Sequence, residues 1–157
     1  MHLTEKELKE RIANLNVWKR RGQTAPHKPL LLLLALSKLQ HGEKCLTYEG
    51  TRSKLKNLLI EFGPRRKYYH PEEPFVRLST DGLWELNKSV DKSGISDRLL
   101  MSEGISGGFT PDVLRLLDER PELIQEVANL ILYDHFPEMR HQDILDAVGL
   151  NVAISIR

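Results

Sequence analysis

The chain has 157 residues, 40% of them hydrophobic and 29% charged, which suits one globular domain with its own core and leaves little room for two. The same numbers argue against disorder, a collagen-like repeat and a disulfide scaffold. The single cysteine, Cys45, can form neither an internal disulfide nor a multi-cysteine zinc site, so the expected compartment is reducing, the cytoplasm by default. A formal net charge of +1 conceals an asymmetry: residues 1–70 hold 15 Lys+Arg against 6 Asp+Glu, net +9, and residues 71–157 hold 8 against 16, net −8. Such a split suggests a polyanion-facing surface on one side, unless the two halves interleave in space and cancel.

The N-terminus, MHLTEKELKERIANL, is charged from the start and has no apolar core of a signal peptide. The longest apolar run, Leu30 to Leu36, is too short to cross a bilayer. Thr4 followed by Glu7 predicts a capping box, and Leu8, Ile12 and Leu15 recur at helical spacing. This first helix is expected to end in Trp18-Lys19-Arg20-Arg21-Gly22, with cations at the negative end of the dipole and Gly as a stop. Pro26 and Pro29 belong in or just before the first turn of a second helix, whose leucines make it the buried centre of the domain. A third helix is predicted over about 50–62, with Leu55, Leu58, Leu59 and Phe62 inward, and Gly63-Pro64 ends it.

The segment from Arg65 to Pro74 reads as a basic, aromatic loop. Residues 75–78 and 83–86 alternate at period two across Asp81-Gly82, which predicts a β-hairpin. Residues 87–109 are polar and rich in Ser and Gly, an expected long irregular segment. Thr110-Pro111-Asp112 starts a helix through Leu117, Pro121 starts another up to His135, and a last runs from about Glu138 to Val148, stopped by Gly149. The expected fold is mainly α, a helical domain with a winged-helix-like core and one small β-hairpin. Residues 1–150 form the domain, and 151–157 are a tail or the start of a linker.

Enzymatic motifs are absent: no phosphate-binding P-loop, dinucleotide glycine fingerprint, nucleophile elbow or zinc-protease helix occurs, so the chain is not expected to be an enzyme and no cofactor is expected. His135 and His141 lie six apart around Pro137 and read as a helix-end and a surface histidine rather than metal ligands. The basic clusters carry more. Lys19-Arg20-Arg21, Lys28 and Arg65-Arg66-Lys67 fall at helix ends or in loops, where side chains reach an external phosphate, and they interleave with Trp18, Tyr68 and Tyr69. Any one cluster reads equally well as solvated surface; three in one half make nucleic-acid binding the leading reading. The Pro26-His27-Lys28-Pro29 turn adds backbone amides at a helix start, a ready anion site.

Taken in order, Arg20-Arg21, Pro26-His27-Lys28-Pro29-Leu30-Leu31-Leu32, His70-Pro71-Glu72-Glu73-Pro74-Phe75-Val76-Arg77-Leu78, Asp81-Gly82-Leu83-Trp84-Glu85-Leu86, Gly107-Gly108-Phe109, His135-Phe136-Pro137 and the stretch Asp143 to Leu150 resemble one family. It is the sulfur-binding domain that precedes the HNH nuclease domain in McrA-like type IV restriction endonucleases acting on phosphorothioate-modified DNA. The resemblance spans nearly the whole chain. It implies that the partner is phosphorothioate-modified double-stranded DNA rather than a membrane, with an HNH nuclease domain in the full-length protein. It further implies a shallow pocket in which Pro74 forms the wall, Phe75 and Arg77 lie beside it, and His27 and Lys28 hold the modified phosphate. Arg20 or Arg21 would reach bases or backbone, Arg65, Arg66, Lys67, Arg98 and Ser106 would join the DNA surface, and Gly107-Gly108 would permit close approach. Family members commonly carry tyrosine before the pocket proline, where this chain has Glu73; Tyr69 is the candidate to replace that aromatic wall. The alternatives are a winged-helix regulator without sulfur selectivity and a protein-interaction domain docking a basic partner through the acidic half.

Overall fold

The computed structural model describes residues 2–17, 19–20 and 23–152, excepting the side chains of residues 19, 20, 23 and 24. Helix α1 (Glu5–Ala13) opens with the expected capping box: the Thr4 hydroxyl accepts the Glu7 N–H, and the Glu7 carboxylate accepts the Thr4 N–H, both at 3.1 Å. The helix stops earlier than its sequence pattern predicts. Asn14 and Asn16 are weak helix formers, and the Asn16 N–H donates to Asp81 Oδ1 at 2.7 Å, which takes the chain off the helical path. Leu15 is therefore buried from outside the helix. The cations expected at a helix end lie instead in β1 (Lys19–Arg20), paired antiparallel with β2 (Gln23–Thr24) so that Lys19 faces Thr24. Trp18, Arg21 and Gly22 lie outside the described residues.

Helix α2 (His27–Gln40) is the centre of the domain, as its leucines require. Residues 30–36 are all buried, and the helix packs against α3 (Tyr48–Phe62), α4 (Glu72–Arg77), α7 (Glu122–His135) and α8 (His141–Val148). Leu55, Leu58 and Leu59 of α3 face inward as predicted, while Phe62 is half-buried.

The predicted hairpin over 75–86 does not form. Its first half is helical: α4 runs straight into a 3-10 turn, Leu78–Asp81. Pro71-Glu72-Glu73-Pro74 is a helix start, since proline is tolerated in a first turn and two carboxylates suit the positive end of the dipole. Gly82, at φ 74°, then turns the chain into β4 (Trp84–Leu86). That strand pairs with β5 (Ser106–Phe109), which also pairs with β3 (Leu46–Thr47), giving an antiparallel sheet of order β3-β5-β4. The domain is mainly helical with a small β component, as expected, but its sheet is assembled from three distant segments.

The stretch expected to be irregular holds a 3-10 turn (Lys92–Gly94), helix α5 (Asp97–Ser102) and β5. Ser96 caps α5, its hydroxyl accepting the Leu99 N–H at 3.0 Å. Helix α6 (Pro111–Glu119) and α7 follow as predicted, and the last helix is split into a 3-10 turn, Glu138–Arg140, and α8, closed by Gly149 at φ 77°.

A column of edge-to-face rings, Tyr48–Phe75–Trp84–Phe109, with centroids 5.2, 5.7 and 6.1 Å apart, fastens α3, α4 and the sheet together. Trp84 Nε1 donates to the Phe75 carbonyl at 3.0 Å, so the column also fixes the α4 backbone. Gly107 and Gly108 are required by packing within the domain. A methyl on Gly107 would lie 2.6 Å from Trp84 Nε1, and one on Gly108 would lie 2.5 Å from the Lys44 carbonyl oxygen.

Candidate nucleic-acid interface

Three chain segments converge on a cleft of about 530 Å³. The linker after α1 contributes Asn16 and Val17, the start of α2 contributes Ala25, His27 and Lys28, and α4 with its following turn contributes Glu73, Pro74, Arg77 and Thr80. Five of the residues expected around a sulfur atom thus share one concavity: His27, Lys28, Glu73, Pro74 and Arg77. Pro74 stands in the first turn of α4 and forms an apolar wall together with Val17 and Ala25.

Lys28 is placed differently from a free phosphate ligand. Its ammonium donates to Asp81 Oδ2 at 2.6 Å and to the Asn16 carbonyl at 2.9 Å, and the two charged side chains are only 10% and 3% exposed. An ammonium has three donors, so one remains beyond these two bonds. Asp81 is the organiser that the sequence did not reveal. Its other oxygen accepts the Asn16 N–H, so one carboxylate ties the α1 linker, the α2 start and the 3-10 turn into the cleft wall. In sequence, Asp81-Gly82 carries the signal of a hairpin turn, which masks a buried counter-ion.

His27 is half-buried, and burial, then the neighbouring charges of Arg66 and His70, push its imidazole below the ordinary histidine pKa. It is neutral at pH 7. The shift contributes folding stability that is complete above pH about 6.5 and is lost as the pH falls through the depressed value. The first-turn amides of His27 and Lys28 have no acceptor within α2, and no acidic side chain occupies that turn. The helix start therefore favours an anion.

Glu73 does not stand as a lone carboxylate beside the proline. Its Oε2 accepts from Arg77 Nε at 2.8 Å, one helical turn on, with 43% and 47% of the two side chains exposed.

Two expected cleft residues lie elsewhere. Phe75 is fully buried in the aromatic column and cannot touch a ligand, because consecutive helical residues point to different sides. Tyr69 lines a second, polar cleft of about 610 Å³ with Arg52, Lys56, His70 and Asp97, and its hydroxyl accepts the Arg66 N–H at 3.2 Å. The two clefts share Glu73. In the second, Arg52 grips Asp97 through two bonds of 2.9 and 2.7 Å and holds the carboxyl below its usual range, while the buried Tyr48 hydroxyl donates to the same group. This network pins α5 onto α3.

Arg65, Arg66 and Lys67 are exposed on the loop joining α3 to α4, with the Lys67 ammonium 5.6 Å from the centre of the exposed Tyr68 ring. Arg98 is exposed on α5 but lines neither cleft, and Ser106 is half-buried in β5, its N–H donating to Asn87 Oδ1 at 2.9 Å. Arg20 is described in its backbone alone and Arg21 not at all. His141, expected at the surface, is fully buried, with Nε2 at 2.9 Å from the Phe136 carbonyl. No helix among the described residues is long and apolar enough to cross a membrane.

Comparison with curated proteins finds no match. Solved structures do resemble the chain. The sulfur-binding domain of SprMcrA, complexed with phosphorothioated DNA, superposes with a TM-score of 0.77 at 22% identity, covering 94% of this chain and 95% of that one. The sulfur-binding domain of ScoMcrA, also complexed with phosphorothioated DNA, gives 0.75 at 21%, covering 90% and 94%. The type IV phosphorothioation-dependent restriction endonuclease ScoMcrA gives 0.71 at 22%, with 90% of this chain matching 27% of that chain. The family model for the ScoMcrA-like DNA sulfur-binding domain matches residues 5–153, so the chain belongs to that family.

Proposed function

We propose that the chain binds phosphorothioate-modified duplex DNA through the cleft beneath Pro74, and that it is the non-catalytic targeting module of a modification-dependent, cytoplasmic restriction endonuclease. The observation that carries this reading is the cleft itself, in which the apolar Pro74, Val17 and Ala25 meet His27 and Lys28 of the α2 start. Sulfur is larger, softer and less strongly hydrated than oxygen. The wall of Pro74, Val17 and Ala25 desolvates an ordinary phosphate oxygen without giving it a donor, and tolerates sulfur. The α2 amides and the remaining donor of Lys28 hold the group's charge. Arg65, Arg66 and Lys67 supply salt-dependent attraction that both kinds of DNA share.

The test is a binding isotherm for one duplex with and without the sulfur, across a salt series. Tighter binding of the modified duplex at every salt concentration is expected, with parallel salt slopes; equal affinities would leave a DNA binder without chemical selectivity.

His27 adds a pH signature. A bound anion raises the pKa of an imidazole that is depressed in the free protein, so binding takes up a proton. Affinity for the modified duplex should therefore rise as the pH falls below the ordinary histidine value of about 6.5 toward the depressed value of the free protein. His27→Gln should flatten the profile, and an unchanged slope in that variant would remove His27 from the phosphate site.

A further inference from the structure

The Pro74 wall rides on a helix of six residues, α4, which is too short to hold its own position. Its downstream side is anchored by Phe75, whose ring stands in the aromatic column and whose carbonyl accepts from Trp84 Nε1. The upstream side has no side-chain cap, and the bond from the Phe75 N–H to the Pro71 carbonyl is long at 3.4 Å. His70 fastens the first turn there. Its carbonyl accepts the Glu73 N–H at 3.2 Å, and its Nδ1 lies 3.0 Å from Glu72 Oε2.

The Glu72 side chain is only 10% exposed, whereas His70 is mostly exposed. Burying a carboxylate is costly unless it is paired, and the neighbouring acids are already engaged, Asp97 with Arg52 and Tyr48, Glu73 with Arg77. Among the described residues, His70 is the hydrogen-bond partner of Glu72. An ionised carboxylate only accepts, so the imidazole donates its Nδ1–H whether the ring is neutral or protonated. The pair lines the second, polar cleft and not the cleft beneath Pro74, so neither side chain stands where the sulfur would lie.

We infer that Glu72, held by His70, is a positioning residue for sulfur recognition: the pair sets where the first turn of α4, and with it Pro74, stands over the cleft. The inference rests on the proposed binding of the modified phosphate beneath Pro74. Contact attraction is short-ranged, and a gap of about 0.5–1 Å forfeits a quarter to a half of it. A wall that drifts by that much loses part of its advantage for sulfur, while the slower-decaying attraction between charges is nearly unchanged.

The experiment is equilibrium binding of one duplex with and without sulfur, at about pH 8, above the ordinary histidine range. Wild type, Glu72→Ala, His70→Ala, Glu72→Gln and His70→Asn are compared by the ratio of the two affinities. A loss of stability scales both affinities by the same competent fraction, so it does not move the ratio. The alanine variants remove the bond from either end and should lower the ratio about three- to fivefold, through the modified duplex. His70→Ala alters a mostly exposed side chain, so the comparison does not depend on Glu72→Ala folding. Glu72→Gln keeps an acceptor and His70→Asn keeps a donor on the same Cγ, so both should restore the ratio to within about twofold of wild type. A wild-type ratio in the alanine variants overturns the inference, and so do amide variants no better than alanine. A wild type that binds both duplexes equally would instead overturn the proposed function.

Discussion

Pro74→Glu should abolish the distinction between modified and unmodified duplex, lowering affinity for the phosphorothioate by about a hundredfold or more while the weak binding of unmodified DNA changes far less. Two effects add. The apolar wall disappears, and a carboxylate comes to lie beside an anion already flanked by Glu73. The milder Pro74→Ala separates them. It deletes two ring methylenes, about 1.6 kcal/mol of apolar contact at ~0.8 kcal/mol each if sulfur covers the ring, so selectivity should fall by up to about tenfold with no new charge. Both changes leave the backbone hydrogen bonds of α4 intact, because the amide at the third helical position has no intrahelical acceptor whichever residue stands there, but Pro74→Glu sets a carboxylate at a buried position and its Tm must be read beside its affinities. Because Pro74 is buried, Pro74→Ala gives up the packing of those two ring methylenes, up to ~1.6 kcal/mol, besides the restriction that proline places on the unfolded chain, about 0.4–1 kcal/mol. Isotherms for both duplexes with both variants check this. An equal proportional loss on the two DNAs would mean that Pro74 shapes the cleft without discriminating sulfur.

Much of this site was legible in the sequence because its chemistry is carried by residues with few alternatives. Two prolines flanking His27-Lys28 before a leucine run fix a helix start, and a helix start with amides lacking intrahelical acceptors favours an anion. The Thr4–Glu7 cap and the buried leucine helix follow from equally local rules. The failures lie where a local signal competes with tertiary packing. Phe75-Val76-Arg77-Leu78 alternates like a strand, but Val76 and Phe75 both find burial when the segment coils, since α2 lies on one side and the aromatic column on the other. That change of period removes Phe75 from the cleft and leaves Pro74 and Arg77 in it. Gly107 and Gly108 illustrate the converse. Adjacent glycines near a proposed interface suggest room for a ligand, yet the space is filled by Trp84 and the Lys44 backbone, partners remote in sequence. The charge asymmetry survives in part: Arg65, Arg66 and Lys67 stand exposed near the cleft, while Lys28 is neutralised by Asp81, which belongs to the acidic half.

That last pairing governs what Lys28→Ala should do, and it is chiefly a loss of stability. The ion pair is short and almost entirely shielded from water, so removing the ammonium strands Asp81 with only the Asn16 N–H as a partner. Breaking such a pair from one side costs about 3–5 kcal/mol, and the surviving hydrogen bond places this case near the lower figure. For a domain of this size ~3 kcal/mol corresponds to a fall in Tm of about 6–12 °C, measurable by thermal unfolding. Affinity for both duplexes should fall together, because an uncompensated carboxylate now faces the cleft from behind its wall. The double substitution Lys28→Met with Asp81→Asn separates charge from packing. The amide oxygen still accepts from Asn16 and no buried charge remains, so most of the lost Tm should return, although the third donor of Lys28 stays absent. If that variant recovers stability and still binds modified duplex more weakly than wild type, Lys28 contributes directly to the phosphate; if it recovers both, Lys28 serves only to neutralise Asp81. A double variant no more stable than Lys28→Ala would show that the cleft is held by the bonds to Asn16 rather than by the ion pair.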